Sequence, residues 1–346
     1  MPKSVLLSEI SGQPKAIEKF LSCESEHVKR ICKEISGRFD YILIAARGTS
    51  DNAARYAQYV FGIQNRIQVA LATPSLFTIY NTPPNMKGAF VIGISQSGES
   101  PDIVSVIQEA HRQNCPTLGI TNFENSPLAK SSDFTCLLNA GFEKSIAATK
   151  TYTNSLCALA LLSASLREHK ISIQQLNEIP GIMQQTIELQ SHVLYEIQRY
   201  RFAEQCTVIG RGYNYSTAFE IALKIKELNQ IITEPYSSAD FRHGPIVMIH
   251  KGTPVFFVAP KDQMSSDIYD LIQQVKEKGG EIIVISNEKT ILSKGKLNFP
   301  IPADIPEWLT PMAAVIPGQL FAMQLAIEKG LDPDNPLGIT KVTYTY

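Results

Sequence analysis

Short apolar runs alternate with segments of helical spacing along most of the chain. Most of these runs end in a polar loop, and apolar residues spaced three or four positions apart follow the loop. The strands predicted in this way lie at 41–45, 90–94, 117–121, 206–210 and 254–258. Because strands that alternate with helices are joined by parallel crossovers, the sequence predicts an α/β fold with doubly wound parallel sheets.

The pattern of the first half of the chain returns in the second half. Arg47 and Arg211 each follow a predicted strand and precede a glycine, and they lie 164 residues apart. Ile94 and Val258, which end two further predicted strands, are separated by the same offset. A constant offset between corresponding positions indicates internal duplication. We therefore predict two copies of one flavodoxin-like subdomain.

The length of 346 residues suits two compact cores, and the remaining segments set their predicted limits. Between the two copies, an Ala-, Leu- and Ser-rich stretch at 147–166 predicts a buried helix. The predicted division is an N-terminal helical segment at 1–37, a first subdomain at 38–170, a helical connector at 171–200, a second subdomain at 201–331 and an extended C-terminal tail at 332–346.

Charge and cysteine content narrow the functional classes. The 32 basic and 33 acidic side chains give a net charge of -1, so neither nucleic acid nor an anionic membrane is expected as a partner. The six cysteines form no CxxC pair and have no zinc-ligand spacing, which is typical of reduced core thiols. The N-terminus lacks the apolar run of a secretory signal, and we expect a cytoplasmic protein.

The loop at 95–100, Ser-Gln-Ser-Gly-Glu-Ser, follows a predicted strand and precedes a predicted helix. Its hydroxyls, its glycine and the positive end of the helix dipole favour phosphate binding. The alternative is a cluster of serines that caps an ordinary strand-to-helix turn. The corresponding loop at 259–264 lacks these hydroxyls, so one phosphate site per chain is predicted. No Gly-x-Ser-x-Gly or Gly-x-Gly-x-x-Gly motif supports a hydrolase triad or a dinucleotide site.

Three charged residues share one face of the helix predicted at 217–230. Glu220, Lys224 and Glu227 are spaced i, i+4 and i+7, a pattern that most often belongs to a solvated helix surface. Their apolar neighbours leave little of this helix for solvent, which favours a half-buried Lys and Glu pair. His243 lies in a Gly-Pro turn, where a functional role and an incidental one are equally supported by the residue alone.

Taken in order, the motifs resemble the tandem sugar-isomerase (SIS) module of glucosamine 6-phosphate synthases over essentially the whole chain. The segment that begins at Glu9 is similar to the start of that module. The motifs that carry the resemblance are Ser95-Gln-Ser-Gly-Glu-Ser, Glu143-Lys-Ser-Ile-Ala-Ala-Thr-Lys150, Glu220-Ile-Ala-Leu-Lys-Ile-Lys-Glu227, His243-Gly-Pro and Lys341-Val-Thr.

The resemblance implies roles for individual residues. The substrate-binding residues it implies are Ser50, Ser95, Gln96, Ser97 and Ser100 at the phosphate and Ile146 and Ala148 at the sugar. The catalytic residues it implies are Glu227 for proton transfer between C2 and C1, His243 for ring opening, and Lys341, on a tail over the active site, for holding the open-chain sugar. Lys224 would keep the Glu227 carboxylate ionised or stabilise an enediolate. The resemblance implies a homodimer, since His243 is typically supplied by the neighbouring subunit, and no metal or organic cofactor.

Departures from the synthase pattern bear on the reaction. The glutaminase domain of the synthases has no counterpart before residue 9, and Arg47 stands where the synthases have cysteine. Residues 239–243, Ala-Asp-Phe-Arg-His, are more similar to the stand-alone deaminase branch. We expect conversion of glucosamine 6-phosphate and water to fructose 6-phosphate and ammonia. The alternatives are a fructosamine 6-phosphate deglycase of the same fold and a non-catalytic sugar-phosphate sensor; the retained Glu227, Lys224 and His243 argue against the sensor.

Overall fold

The computed structural model describes residues 4–191 and 193–341, and the chain divides into two compact units. The N-sheet unit contains residues 15–143, 150–178 and, of the described residues near the C-terminus, 340–341. The C-sheet unit contains residues 4–14, 144–149, 179–191 and 193–339. Of the predicted terminal segments, residues 1–3 and 342–346 lie outside the described part, as does residue 192 of the predicted connector.

The secondary structure alternates between strands and helices in both units. The strands are β1 Tyr41–Ala46, β2 Val69–Leu71, β3 Ala89–Ile94, β4 Thr117–Thr121, β5 Phe134–Leu137, β6 Gln205–Gly210, β7 Ile232–Tyr236, β8 Pro254–Val258, β9 Glu281–Ser286 and β10 Leu297–Pro300. The helices are α1 Val5–Ser11, α2 Gln13–Ile35, α3 Gly48–Asn65, α4 Ser75–Thr78, α5 Pro101–Arg112, α6 Pro127–Ser131, α7 Lys150–Leu166, α8 Lys170–Leu189, α9 Tyr215–Asn229, α10 Ser238–Arg242, α11 Ser265–Glu277, α12 Lys289–Leu292 and α13 Thr310–Glu328.

Each unit contains one five-stranded parallel sheet. The strand order is β2-β1-β3-β4-β5 in the N-sheet unit and β10-β9-β8-β6-β7 in the C-sheet unit. Counted from its own first strand and read from the other edge, the second order is again 2-1-3-4-5, which is the flavodoxin-like order. The predicted α/β fold and the duplication of one parallel sheet are therefore confirmed.

The central strands are recognisable in the sequence because they are buried on both faces of each sheet. All six residues of β3 are buried, and β1 is buried beyond its first residue. Helices α5 and α6 pack on one face, where Ile103 and Ile107 of α5 and Leu128 of α6 join side chains of the sheet in one apolar cluster. Strands covered on both faces are continuously apolar, which is the pattern that the sequence shows.

The C-sheet unit is built around α13, which packs along α9. Gly318 of α13 lies so close to Ile221 of α9 that a side chain at this position would overlap it. Within the described ranges, one helix, 307–328, is long and apolar enough to span a membrane, but 89% of its apolar window is buried inside the protein. Such a helix is typical of a protein core, since the core is as apolar as a membrane span.

Two helix boundaries differ from the prediction. The predicted buried helix at 147–166 begins at Lys150, and residues 144–149 form an irregular segment in the other unit. The helix predicted from residue 217 begins at Tyr215. The predicted connector consists of α8 and a 3-10 turn at Leu194–Tyr200.

Candidate functional site

The serine loop lies at the carboxyl end of β3, directly before α5. The hydroxyls of Ser95 and Ser100 are 3.1 Å apart, and the Gly98 N–H donates to the Ser95 hydroxyl at 3.1 Å. Ser100 occupies the N-cap position of α5, but its hydroxyl makes no capping hydrogen bond. The Ser100 side chain therefore faces into the loop, and helix capping does not account for it.

The loop backbone is fixed by its neighbours. Gly98 has φ 66°, and a Cβ here would lie 2.8 Å from the Thr121 hydroxyl and closer still to Ser126. The carbonyl of Gln96 accepts the Asn122 N–H at 3.0 Å, and the carbonyl of Gly98 accepts the Leu128 N–H at 3.0 Å. A glycine is required at residue 98 because only glycine adopts this backbone conformation readily in so little space.

The phosphate-binding residues implied by the resemblance share one edge of the N-sheet. Strands β1 and β3 are parallel neighbours, and the Cα atoms of Ala46 and Ile94 are partners at their carboxyl ends. Ser50 lies in the first turn of α3 after β1, and Ser95, Gln96, Ser97 and Ser100 follow β3. In this strand order the gap between β1 and β3 is the topological switch point, where ligands of doubly wound sheets bind. The N-terminus of α5 adds partial positive charge for an anion.

An arginine–aspartate pair adjoins this loop and was not predicted. Arg47 Nε lies 2.8 Å from Oδ2 of Asp102, whose side chain is fully buried in the first turn of α5. The C-sheet unit repeats the arrangement, with Arg211 Nη1 2.8 Å from Oδ2 of Asp267 in the first turn of α11. The repeated arginine was visible in the sequence, and the aspartate at the start of each following helix was the signal that would have completed the pair.

Lys341 is held within the N-sheet unit. Its ammonium group lies 2.9 Å from Oε2 of Glu143, whose carboxylate is buried. The same carboxylate accepts the hydroxyl of Thr151 at 2.9 Å. This contact fixes the start of the tail, and the assigned role of Lys341 in holding a sugar stays a prediction.

The three charged residues of α9 are on one face, as predicted, and that face is largely buried. The Lys224 ammonium lies 2.6 Å from Oε2 of Glu227 and 3.4 Å from Oε1 of Glu220. The side chains of Lys224 and Glu220 are 2% and 0% exposed, while Glu227 is 23% exposed. Burial alone lowers the pKa of Lys224, but the carboxylates of Glu220 and Glu227 outweigh it and raise this pKa above its ordinary value. The interpretation as a solvated surface is therefore wrong.

The segment at 144–149 places Ile146 and Ala148 in the C-sheet unit, with α9. The Glu9 carboxylate in α1 accepts the N–H groups of Lys144 at 2.6 Å and Ser145 at 3.3 Å. Along the segment, buried residues alternate with the half-buried Ile146 and Ala148. In the sequence, Glu9 stands out only as part of a motif; in the structure, it anchors this segment.

His243 is exposed at the end of α10, on a turn held by Asp267. Arg242 donates to the Asp267 carboxylate at 2.9 Å and to its backbone carbonyl at 2.7 Å, and Ser238 donates to the same carboxylate. Burial raises the pKa of Asp267, but the hydrogen bonds from Ser238 and Arg211 and the charge of Arg242 outweigh it and lower this pKa. The turn is therefore fastened to α11 by an ionised carboxylate.

Glu227 and His243 are attached at opposite ends of strand β7 in the C-sheet unit. Helix α9 ends at Asn229, at the amino end of β7, and Glu227 lies in its last turn. His243 follows the carboxyl end of β7. The strand between these attachment points spans about 13 Å at roughly 3.3 Å per residue.

A groove of about 630 Å³ in the C-sheet unit is unrelated to these residues. It is lined by residues at the amino ends of β6, β7, β8 and β9, among them Phe202, Ile232 and His250. None of the predicted site residues lines it. Its position opposes the edge where ligands of parallel sheets bind, so its size carries no functional argument. Across residues 4–191 and 193–341, no group of three or more His, Cys, Asp or Glu side chains has the arrangement of a metal site.

Comparisons with known proteins extend over both sheets. The sequence model of the SIS domain matches residues 40–165 and 200–329. The chain is 34% identical to a glutamine–fructose-6-phosphate aminotransferase (isomerizing) of Aquifex aeolicus, over 98% of this chain and 57% of that protein. It therefore spans little more than half the length of this relative.

Solved structures show the same fold. The C-terminal domain of a glucosamine-fructose-6-phosphate aminotransferase from Francisella tularensis is 27% identical, with a TM-score of 0.87 over 96% of this chain and 98% of that one. A glucosamine-6-phosphate deaminase from Thermotoga maritima is 23% identical, with a TM-score of 0.82 over 99% of this chain and 100% of that one. At this identity the second likeness is one of fold alone.

Proposed function

The chain belongs to the SIS domain family, and from this premise we propose that it isomerises an amino-sugar phosphate, converting glucosamine 6-phosphate and water to fructose 6-phosphate and ammonia. The relative from Aquifex aeolicus is named for fructose 6-phosphate chemistry, and the Thermotoga maritima structure for deamination of glucosamine 6-phosphate. These names motivate the choice of substrate.

The observation that carries the proposal is the contact between Lys224 and Glu227. A sensor needs a phosphate loop, but it has no use for a carboxylate aligned by a buried lysine. One oxygen of Glu227 is bonded to Lys224 at 2.6 Å, and the side chain remains 23% exposed. A carboxylate held in this way has a fixed direction on a partly exposed side chain, which suits a general base.

The proposed reaction proceeds in four balanced steps. His243 transfers the proton of the C1 hydroxyl to the ring oxygen, which opens the ring to the aldehyde. Glu227 removes the proton from C2 while water gives a proton to the aldehyde oxygen, which yields an enaminol. Glu227 returns its proton to C1 while the amino group loses one N–H proton to the solvent, which yields an imine at C2, and water hydrolyses this imine to the ketone and ammonia. A well-placed general base contributes ~10²–10⁴-fold to such a step.

The serine loop supplies the binding part of the proposal. Its fixed backbone, its inward-facing hydroxyls and the N-terminus of α5 suit a phosphate dianion. Ser50, Ser95, Gln96, Ser97 and Ser100 are assigned to this phosphate, Ile146 and Ala148 to the sugar, and Lys341 to the open-chain form. No organic cofactor or metal takes part in these steps.

A homodimer with shared active sites is part of the proposal. Glu227 and His243 are attached at opposite ends of β7, which favours a site to which two chains contribute these residues. A second copy of the chain would supply the missing histidine. This arrangement is isologous, with two equivalent sites per dimer.

The test is to incubate the purified chain with glucosamine 6-phosphate, without glutamine, and to measure ammonia and fructose 6-phosphate together. Equal amounts of both products are expected. Binding of the sugar phosphate without any product would favour a sensor. Turnover of fructosamine 6-phosphate but not of glucosamine 6-phosphate would replace the proposal with a deglycase.

A further inference from the structure

We propose that Arg47 binds the substrate phosphate together with the serine loop, through guanidinium N–H groups that its bond to Asp102 leaves available. This inference rests on the proposed function, because it assumes that the loop binds a sugar phosphate. It adds a cationic donor to a site whose other assigned side chains are uncharged.

The position of Arg47 follows from the strand register. Arg47 comes directly after Ala46, whose Cα is the partner of Ile94, and Ile94 is followed by Ser95. Arg47 therefore lies beside the first serine of the loop. Its side chain reaches Asp102, two residues beyond Ser100. The backbone of Arg47 thus adjoins the first end of the loop, and its guanidinium group lies at Asp102, just past the other end.

The nitrogen that Arg47 uses distinguishes it from its counterpart. Its bond to Asp102 is made by Nε, and no other hydrogen bond of this side chain is found among residues 4–191 and 193–341. Both Nη groups remain for a ligand, and the side chain is 52% exposed. Arg211 instead uses Nη1 for Asp267 and for Ser238, and the loop after β8 has no serine cluster. Of the two arginine–aspartate pairs, only the one in the N-sheet unit therefore leaves both Nη groups available for an anion.

Asp102 orients the guanidinium group of Arg47. A guanidinium group offers five N–H donors in a planar fork, and anchoring one edge orients the other. Because Asp102 offsets the charge of Arg47, the contribution to binding comes from directed hydrogen bonds rather than from net charge. Hydrogen bonds to a charged ligand group of this kind correspond to about a 10- to 100-fold change in affinity.

The competing explanation is that Arg47 merely neutralises the buried Asp102. The single variant Asp102→Asn removes the need for neutralisation and keeps Arg47, whereas the double variant Arg47→Met, Asp102→Asn removes both. The matched control is Arg211→Met, in which Asp267 keeps its bond to Arg242 at 2.9 Å. Folding of every variant is checked by thermal denaturation.

Affinities for fructose 6-phosphate and for inorganic phosphate are measured by calorimetry on the full chain. We expect Arg211→Met to bind both ligands within about threefold of the wild type, and the double variant to bind both about 10- to 100-fold more weakly than Asp102→Asn. Equal affinities of Asp102→Asn and the double variant would overturn the assignment of Arg47. A wild-type chain that binds fructose 6-phosphate but turns over no glucosamine 6-phosphate would instead overturn the proposed function and leave this comparison intact.

Discussion

The ammonium group of Lys224 lies 2.6 Å from the carboxylate of Glu227, one turn apart on α9, and the lysine is almost completely buried. Glu220 lies on the same face at 3.4 Å. A lysine between two carboxylates in a water-poor position neutralises one of them and orients the other. The two carboxylates therefore differ: Glu220 is buried and serves the structure, whereas Glu227 is partly exposed.

Replacing Glu227 with Gln should abolish turnover and keep binding. The amide has nearly the shape of the carboxylate but cannot accept the C2 proton, so the turnover number should fall by ~10²–10⁴-fold. Ammonia release measures turnover, and calorimetry with fructose 6-phosphate measures binding. Glu277→Gln, at the exposed end of α11, is the control and should behave as the wild type. Full activity of Glu227→Gln would remove this residue from the mechanism.

Replacing Lys224 with Met should destabilise the C-sheet unit. The change leaves the buried Glu220 carboxylate without its ammonium partner, which costs about 3–5 kcal/mol of unfolding free energy. The double variant Lys224→Met, Glu220→Gln should recover part of this loss, because it removes the buried charge. Urea denaturation provides the comparison, and equal stability of the two variants would contradict the explanation.

The same lysine predicts a pH dependence. Desolvation lowers the pKa of Lys224, but Glu220 and Glu227 outweigh it and raise the pKa above its ordinary 10.5. The folded protein therefore holds this proton more tightly than the unfolded chain. The stability from the pair is fully present below the ordinary pKa and is lost as the pH rises through the raised one. Lys224→Met should show a smaller loss of stability between neutral and strongly alkaline pH than the wild type.

Replacing Gly98 with Ala should damage the phosphate site specifically. The backbone has φ 66°, and the added Cβ would meet Thr121 and Ser126. Gly141 offers a matched control, since it has φ 69° and nothing within 4 Å of an added Cβ. Both variants carry backbone strain of about 1–2 kcal/mol, but only Gly98→Ala should lose phosphate affinity, by more than about tenfold. Equal phosphate affinities would show that the loop tolerates displacement.

Mixing two inactive variants tests the shared site. If Glu227 of one chain acts with His243 of another, a mixed dimer of Glu227→Gln and His243→Asn contains one intact site and one doubly altered site. After subunit exchange of equal amounts, about one quarter of the wild-type activity should return, since half of the dimers are mixed. No recovery, despite exchange shown by mass spectrometry, would place both residues in the site of a single chain.

The strands that could be predicted from the sequence are those buried on both faces of their sheet. Strands β1, β3, β4, β6 and β8 are continuous apolar runs, because neighbouring strands and helices surround them. The edge strands β2, β5, β7 and β10 were not predicted, since an edge strand needs no such run; β7, for example, contains Glu234 and Pro235. Strand β9 has the apolar pattern and was simply not identified.

In the candidate site, some positions follow from the local sequence and others depend on contacts between distant residues. The positions of Ser95 and Ser100 follow from local sequence, because a loop between a strand and a helix has few conformations. The contacts of Arg47 with Asp102 and of Glu9 with the segment at 144–149 join residues far apart in sequence, and no local pattern specifies them. The limits of the subdomains at 38–170 and 201–331, the dimer and the roles of individual site residues stay predictions.

The division of the chain at residues 14, 143, 149, 178 and 339 has a practical consequence. Each unit is assembled from separate stretches of the polypeptide, so no single break in the backbone yields either unit as an intact fragment. A chain that ends after the N-sheet strands would lack residues 340–341, which belong to the N-sheet unit. Limited proteolysis at one loop should therefore leave a nicked but associated protein, which separates only under denaturing conditions.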